Sequence, residues 1–462
     1  MSAVTPYKMS VTAGLACGFL ALIAVVGCDK KSPSELIAIS PELERQDTHR
    51  TQAEDIAVTT AGASGVPLIV VSALRSQPRV TRAAERVRQE FANVEEKQSL
   101  YFPQVSASVV SELAGNGGAS PQLRFTGSQL LYDFGRTERG VARQVLLAQK
   151  AHLDFLTSVD DSLTDIFRLL AEYESQRLQL ALGRDRLARM IELRNHVESR
   201  IQEGVTTSGS LIEAQRRVQT AETIVLRAEL AIASKRREIE AEAGTAIGSA
   251  ISDINMSRLN CGPAPLELNT VINVKKAQID AAVAQLDAQN AQSARMPSLS
   301  VEASSSHEFS NLPKAADTRL ALRVDTSMLS GGANRARRDA TSRNAAAAEA
   351  ALTGERQRAQ RSVEGLQDTA SSQRVLAEAL KAQSAMLDDT RALYLQQFLE
   401  LDTKSIDDVL SVEEEYHQTL LDTELARLDI RMSAINCMSV RGQLRRFVGI
   451  EDKLLFGLAL RQ

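Results

Sequence analysis

The sequence predicts a mainly α protein made of two tandem copies of one plan, helix–strand–strand–long helix–helix. Three observations lead there. A segment beginning at Pro78 returns in the second half, so that Val80 matches Val274, Ala83 matches Ala277 and Pro103 matches Pro297, an offset of about 194 residues. After each match come two stretches with a period of two, the signature of half-exposed strands. After each strand pair comes a long run of three-and-four spacing, the pattern of helices that pack in seams. A fixed internal period defines the architecture before any local reading does.

Composition agrees with long thin helices. Apolar residues are 44% of the chain, but much of that is alanine, aromatics are only 4% and tryptophan is absent. Alanine packs helices closely at no side-chain entropy cost. A net charge of -4 gives no electrostatic case for nucleic acid.

The N-terminus reads as an export signal over residues 1–27. Lys8 precedes the apolar run "VTAGLACGFLALIAVVGC", too short and too terminal to be part of the fold. "VVGC" is similar to a bacterial lipobox, which makes Cys28 the expected lipid-attachment residue. An ordinary cleavable signal is the alternative. Asp29 follows, which in enteric bacteria resembles an inner-membrane retention signal. Residues 28–65 read as a lipidated linker. No later stretch has the roughly 18 apolar residues of a membrane-spanning helix, so a membrane crossing would need strands. Cys261 and Cys437 remain after export. An oxidising compartment could join them, and two buried thiols would explain them as well.

The first repeat covers 66–262, with strands at about 103–113 and 121–132 and long helices at about 137–203 and 208–245. The second covers 263–462, with strands at about 297–307 and 317–329 and helices at about 334–399 and 405–448. In each repeat a helix of about 30 residues leads to a proline that ends it. Val105, Ala107, Val109 and Leu113 share a face in the first strand, as do Leu123, Phe125 and Leu131 in the second. In the last strand Leu320, Leu322, Val324 and Met328 alternate with Arg319, Arg323, Asp325 and Ser327. A soluble sandwich strand with one wet face fits this pattern, and so does a barrel strand with lipid on one side and a lumen on the other. Four strands cannot close a barrel, so the second reading requires several chains.

The long helix of the first half carries Val141, Val145, Ala148, His152, Phe155, Val159, Leu163, Ile166, Leu170 and Tyr173 along one stripe. Leu146, Leu153, Leu156 and Leu163 form a second stripe beside it, so the helix has two neighbours. Such a helix rises roughly 100 Å. It ends at "QEGVTTSGSLIEA", where Gly204 suits a left-handed C-cap. The other long helix ends at "LELDTKSIDDVLSV", with Asp402 in the place of Gly204 and Ser405 as N-cap, matching Thr207.

Taken together, "SLYFPQVSASV" and "ARMPSLSVEAS" before the first strand of each half, "LLYDFGRTERG" and "MLSGGANRARR" at the strand-to-helix junctions, and "YLQQFLELDTKSIDDVLSVEEEY" at the second turn resemble the TolC family of outer-membrane efflux and secretion proteins. The resemblance covers roughly residues 66–452. It implies a homotrimer whose chains share a twelve-stranded barrel in the outer-membrane lipid and build a long α-helical periplasmic tunnel. It implies a periplasmic adaptor and an inner-membrane transporter as partners, either ATP-driven or proton-driven, and no cofactor. "LYDFGRTE" and "KSIDDVLSVEEE" look more like the type I secretion branch. The lipobox resembles the efflux lipoproteins of proton-driven multidrug or metal pumps, although "CDKKSPSEL" lacks their usual Tyr-and-Pro motif.

Site residues follow from the same resemblance. Gly204, Thr207, Asp402 and Ser405 fall at the adaptor-docking tips. Lys404 and Asp408 match the basic residue and one ring aspartate of the periplasmic gate. Ser411 stands where a second ring aspartate is often found, and Leu399 where a gate tyrosine often is. Arg319, Arg323 and Asp325 would face the barrel lumen. No catalytic motif appears. His49, His152, His196, His307 and His417 are scattered with no metal-ligand spacing, and His152 reads as a packed residue. The charged run in "IDDVLSVEEE" reads as a solvated helix start. A structural coiled-coil envelope protein would explain the heptads but not the matched strand pairs. A periplasmic adaptor would have one helical hairpin and many short strands.

Overall fold

A computed structural model describes residues 66–111, 121–244, 258–262, 264–308, 317–327 and 330–461. The export signal 1–27, the linker 28–65 with Cys28, Leu113 and Met328 lie outside these residues. The elements run α1 (Val66–Ser76), α2 (Pro78–Gln98), β1 (Gln104–Ser111), β2 (Pro121–Tyr132), α3 (Arg136–Gln202), α4 (Ser208–Ala243), α5 (Ile272–Ser293), β3 (Ser298–Glu308), β4 (Asp317–Asp325), α6 (Ala333–Gln396), α7 (Ile406–Val440) and α8 (Leu444–Val448). A small hairpin, β5 (Leu454–Leu455) and β6 (Leu458–Ala459), follows. The order helix–strand–strand–long helix–helix thus occurs twice.

Two compact units result, and each draws on both halves of the sequence. One comprises 95–141 and 290–335, the other 62–94, 142–289 and 336–462. In the first unit the four strands form one antiparallel sheet in the order β1-β2-β3-β4. The central pairing, β2 with β3, joins the two halves, and it shifts register between Leu130 and Tyr132. β1 and β4 are left as edges.

In the second unit α3 contributes more of the core than any other element. Phe155, Leu156, Val159, Leu163, Ile166, Phe167 and Leu170 are all buried and pack with Val70 and Leu74 of α1, Val80 and Val87 of α2, and Ile435 of α7. Both predicted stripes of α3 therefore find partners. A separate cluster lies toward the other end of α3, where Met190, Leu193 and Val197 meet Ala214, Val218 and Ala221 of α4 and Ile406, Val409 and Leu410 of α7. The small residues on α4 let the helices approach closely.

The C-terminal hairpin is anchored by Arg445, whose guanidinium bonds Asp160 on α3 at 2.9 Å and also donates to the Leu460 carbonyl. Both side chains of that ion pair are almost wholly buried. Cys261 and Cys437 form a disulfide with their Cα atoms 5.7 Å apart. It fastens the segment between the repeats to α7. The same segment receives hydrogen bonds at Gly262 O from Gln367 and at Ala264 O from Arg441.

Three expected elements are corrected. The lead-in helices are shorter than 30 residues, with 21 in α2 and 22 in α5. Pro78 starts α2 rather than continuing α1, because its nitrogen has no proton to donate. The last helix does not run from 405 to 448. It stops at Val440, Gly442 takes φ 66°, and the Gln443 N–H turns back to the Met438 carbonyl at 2.8 Å. That is the glycine-terminated helix end. Finally, α6 ends at Gln396 and unwinds through a π-turn, Gln397–Leu401, before the second tip.

Candidate functional site

Two regions carry the functional reading: the faces of the sheet and the two turns where the long helices reverse. The cross-strand register sorts the sheet residues. Val105 lies opposite Gly127, Ala107 opposite Phe125 and Val109 opposite Leu123. Phe125 lies opposite Ser305 and Gly127 opposite Ala303. Leu299 lies opposite Val324, Val301 opposite Leu322 and Ala303 opposite Leu320. One mostly apolar face therefore spans all four strands, interrupted by Gln129, Ser305, His307 and Thr318, and it is exposed: Leu320 is 69% and Leu322 65% accessible. An apolar face of this extent in contact with water would be unstable alone.

The other face carries Ser106, Ser108, Arg124, Thr126, Ser128, Ser300, Glu302, Ser304, Arg319, Arg323 and Asp325. Its charges are paired along and across strands. Arg323 binds Glu302 on β3 and Asp325 on its own strand, each at 2.8 Å. Arg319 binds Asp317 at 2.7 Å. Arg319, Arg323 and Asp325 thus share the face opposite Leu320, Leu322 and Val324.

At the first turn Gly204 has φ +78°, and a Cβ there would meet nothing within 4 Å. The position is open but backbone-restricted, in a conformation that glycine adopts freely and most other residues rarely do. Thr207 has extended backbone before α4 but makes no side-chain cap bond. At the second turn Asp402 adopts the same left-handed conformation, φ 50° and ψ 28°. The two tips thus share a backbone solution with different side chains.

Ser405 caps α7 in a reciprocal box. The Asp408 N–H donates to the Ser405 hydroxyl oxygen at 3.2 Å, and the Ser405 N–H donates to the Asp408 carboxylate at 3.0 Å. These bonds, with Lys404 nearby, hold the Asp408 carboxyl below its usual range. Lys404 places its ammonium 4.0 Å from the centre of the Tyr394 ring, an aromatic not singled out in the sequence.

Sequence reasoning missed two features. The first is Arg200, in the last turn of α3. Its side chain is 8% exposed. It donates to the Phe398 carbonyl, to the Leu399 carbonyl at 3.3 Å and to the Asp402 carboxylate at 2.6 Å. Its guanidinium also lies over the Phe398 ring, 4.6 Å from the centroid. One arginine from the first turn therefore gathers the loose carbonyls of the second. The second feature is Glu413, which lies in the charged run read as solvated but is wholly buried. Arg189 of α3 and Arg391 of α6 bond it at 2.9 and 3.2 Å. A basic residue in a last helical turn is ordinary, and nothing local marks a partner some 200 residues away.

His152 is half-buried beside Phe155, and burial lowers its pKa. Among the described residues no helix is long and apolar enough to cross a membrane, and no cluster of His, Cys, Asp or Glu is arranged to hold a metal ion.

No family model and no curated protein sequence matches the chain. Solved structures do. A membrane protein from Pseudomonas aeruginosa superposes with TM-score 0.72 at 16% identity, covering 81% of this chain and 90% of that one. CusC, described in terms of folding and transmembrane channel formation, superposes with TM-score 0.72 at 15% identity, covering 83% and 95%. The outer membrane protein VceC from Vibrio cholerae superposes with TM-score 0.68 at 14% identity, covering 83% and 96%. At these identities the likeness establishes the fold.

Proposed function

We propose that this chain, which carries the fold of the TolC-type outer-membrane channels, is the outer-membrane conduit of an export system and not an enzyme. The observation that carries the reading is the exposed, mostly apolar face that spans four strands, with both sheet edges open. Lipid is the environment that favours such a face, and unpaired edges are not tolerated in lipid. Three copies joined edge to edge would close a twelve-stranded barrel. The polar face with Arg319, Arg323 and Asp325 would then line its lumen. The long helices, roughly 100 Å for α3, would form the tunnel. Cys28 would add a lipid anchor.

The turns at Gly204, Thr207, Asp402 and Ser405 are the proposed contacts for a periplasmic adaptor. Lys404 and Asp408 are the proposed gate residues, and Arg200 supports them by tying one turn to the other. The junction motif "LYDFGRTE" and the second-turn motif "KSIDDVLSVEEE" favour type I secretion with an ATP-driven transporter. An efflux role beside a proton-driven pump for drugs or metals is the second reading, favoured by the cysteine of "VVGC".

The test is fractionation of cells producing the full chain. Heat-modifiable trimers in the outer-membrane fraction are expected. A monomer in the soluble fraction would contradict the proposal.

A further inference from the structure

Outside the tips, the helical unit buries an imidazole that none of the roles above uses. His417 on α7 is 1% exposed, and neither ring nitrogen has a hydrogen-bond partner. A buried polar group normally finds one, because leaving it bare costs the water it gave up. The charges around it are known on each packed element. α3 contributes Asp185, Arg186 and Arg189, and α6 contributes Arg391. On its own helix Glu413 sits one turn away, and the Tyr416 ring lies 5.5 Å from the imidazole. α4 enters through Arg217, which bonds Glu414, itself bonded by Arg186 at 3.3 Å.

The three guanidinium groups are paired with Glu413 and Glu414, yet burial and these arginines together outweigh the pull of Asp185 and make this a poor place for another positive charge. Neutral, the ring is an acceptable packing element. Protonated, it has two N–H donors without a hydrogen-bond partner and three like charges close by. Relief requires water, and water enters only if α7 moves from α3. That movement would break the tie in which Glu413 holds Arg189 and Arg391 together.

We propose that His417 is an acid-responsive switch, whose protonation separates α7 from α3 and α6 at the Arg189–Glu413–Arg391 junction. The geometry sets the direction. Burial and the neighbouring arginines lower the His417 pKa from 6.5 to about 4 in the packed form. The packed form therefore binds fewer protons than a hydrated one. Its advantage is complete above about pH 6.5 and is lost as pH falls toward 4. By linkage the hydrated form should gain about 30-fold between pH 8 and pH 5. Under the tunnel reading this junction lies about two turns from Ser405 at the second tip, so acid would loosen the helices beside the gate. Only that consequence rests on the tunnel reading.

The experiment uses the full-length purified protein in detergent. Histidine C2-hydrogen exchange by mass spectrometry reads the His417 titration in the wild type, with no variant needed. A midpoint well below 6.5 is expected. A midpoint at or above 6.5 would mean that Asp185 holds the charged ring, and would overturn the proposal. Amide exchange over 408–420, corrected for intrinsic rate, should rise about 30-fold from pH 8 to pH 5 in the wild type and stay flat in His417→Leu. Equal acid response in both proteins, or none in the wild type, would also overturn it. Conductance in a planar bilayer tests the gate separately. Acid-dependent exchange without a conductance change would leave the switch in place and count against the tunnel reading alone.

Discussion

Replacing Arg200 with alanine removes a side chain that ties the first turn to the second. The structure sets the size of the effect. The charge-assisted bond to the buried Phe398 carbonyl contributes roughly 1.5–3 kcal/mol, and the stack on the Phe398 ring about 0.5–1 kcal/mol. The bond to Asp402 adds little, because that carboxylate is 69% exposed and water screens it. The sum is about 2–4 kcal/mol, which corresponds to roughly 30- to 900-fold faster local opening. Amide exchange over 397–405 is the assay. Arg200→Lys should recover only part of the protection, since an ammonium cannot fork to two acceptors. Asp402→Asn should change it by less than about fivefold. Exchange in Arg200→Ala within threefold of wild type would refute the tie, and so would an Asp402→Asn effect as large as that of Arg200→Ala.

Other consequences can be tested alongside. Leu322→Lys should reduce assembled trimer, at a cost of about 2–4 kcal/mol for a charge at mid-membrane, while Arg323→Ser should not; equal losses would mean the faces are assigned wrongly. Gly204→Arg should abolish export with trimers intact, and loss of the trimer would point to the helix end rather than to docking. In planar bilayers Asp408→Asn should lower cation preference and Lys404→Ala should raise resting conductance. Unchanged currents in both variants would remove these residues from the gate.

Much of this was legible because it is periodic or local. The strand bounds at Pro121–Tyr132 follow from alternation, and α3 at Arg136–Gln202 follows from heptad spacing and Gly204. Gly135 and Gly204 mark the ends of α3 and both take positive φ. The Ser405–Asp408 box has a local signature too, a serine followed three residues later by an acid, but the acid was read through the resemblance instead. The break at Gly442 was missed because apolar spacing continues through it into Leu444 and Val448, both buried. Arg200, Glu413 and His417 were out of reach for a different reason. Their meaning lies in partners on other helices, and a charged residue on a helix normally points to water. The disulfide stood open in the sequence, where spacing alone cannot bring Cys261 to Cys437. Only the packing of the inter-repeat segment on α7 does so.

The central claim is that three copies close one barrel by joining the edge strand β1 of each chain to β4 of the next. Single cysteines placed along β1 and along β4 in the same chain, oxidised in intact membranes, measure this directly. The account predicts a covalent trimer as the end product for at least one pair, with no larger ladder, because a ring of three has no free edge. Cross-linking that stops at monomers for every pair, or that extends beyond three chains, would contradict it.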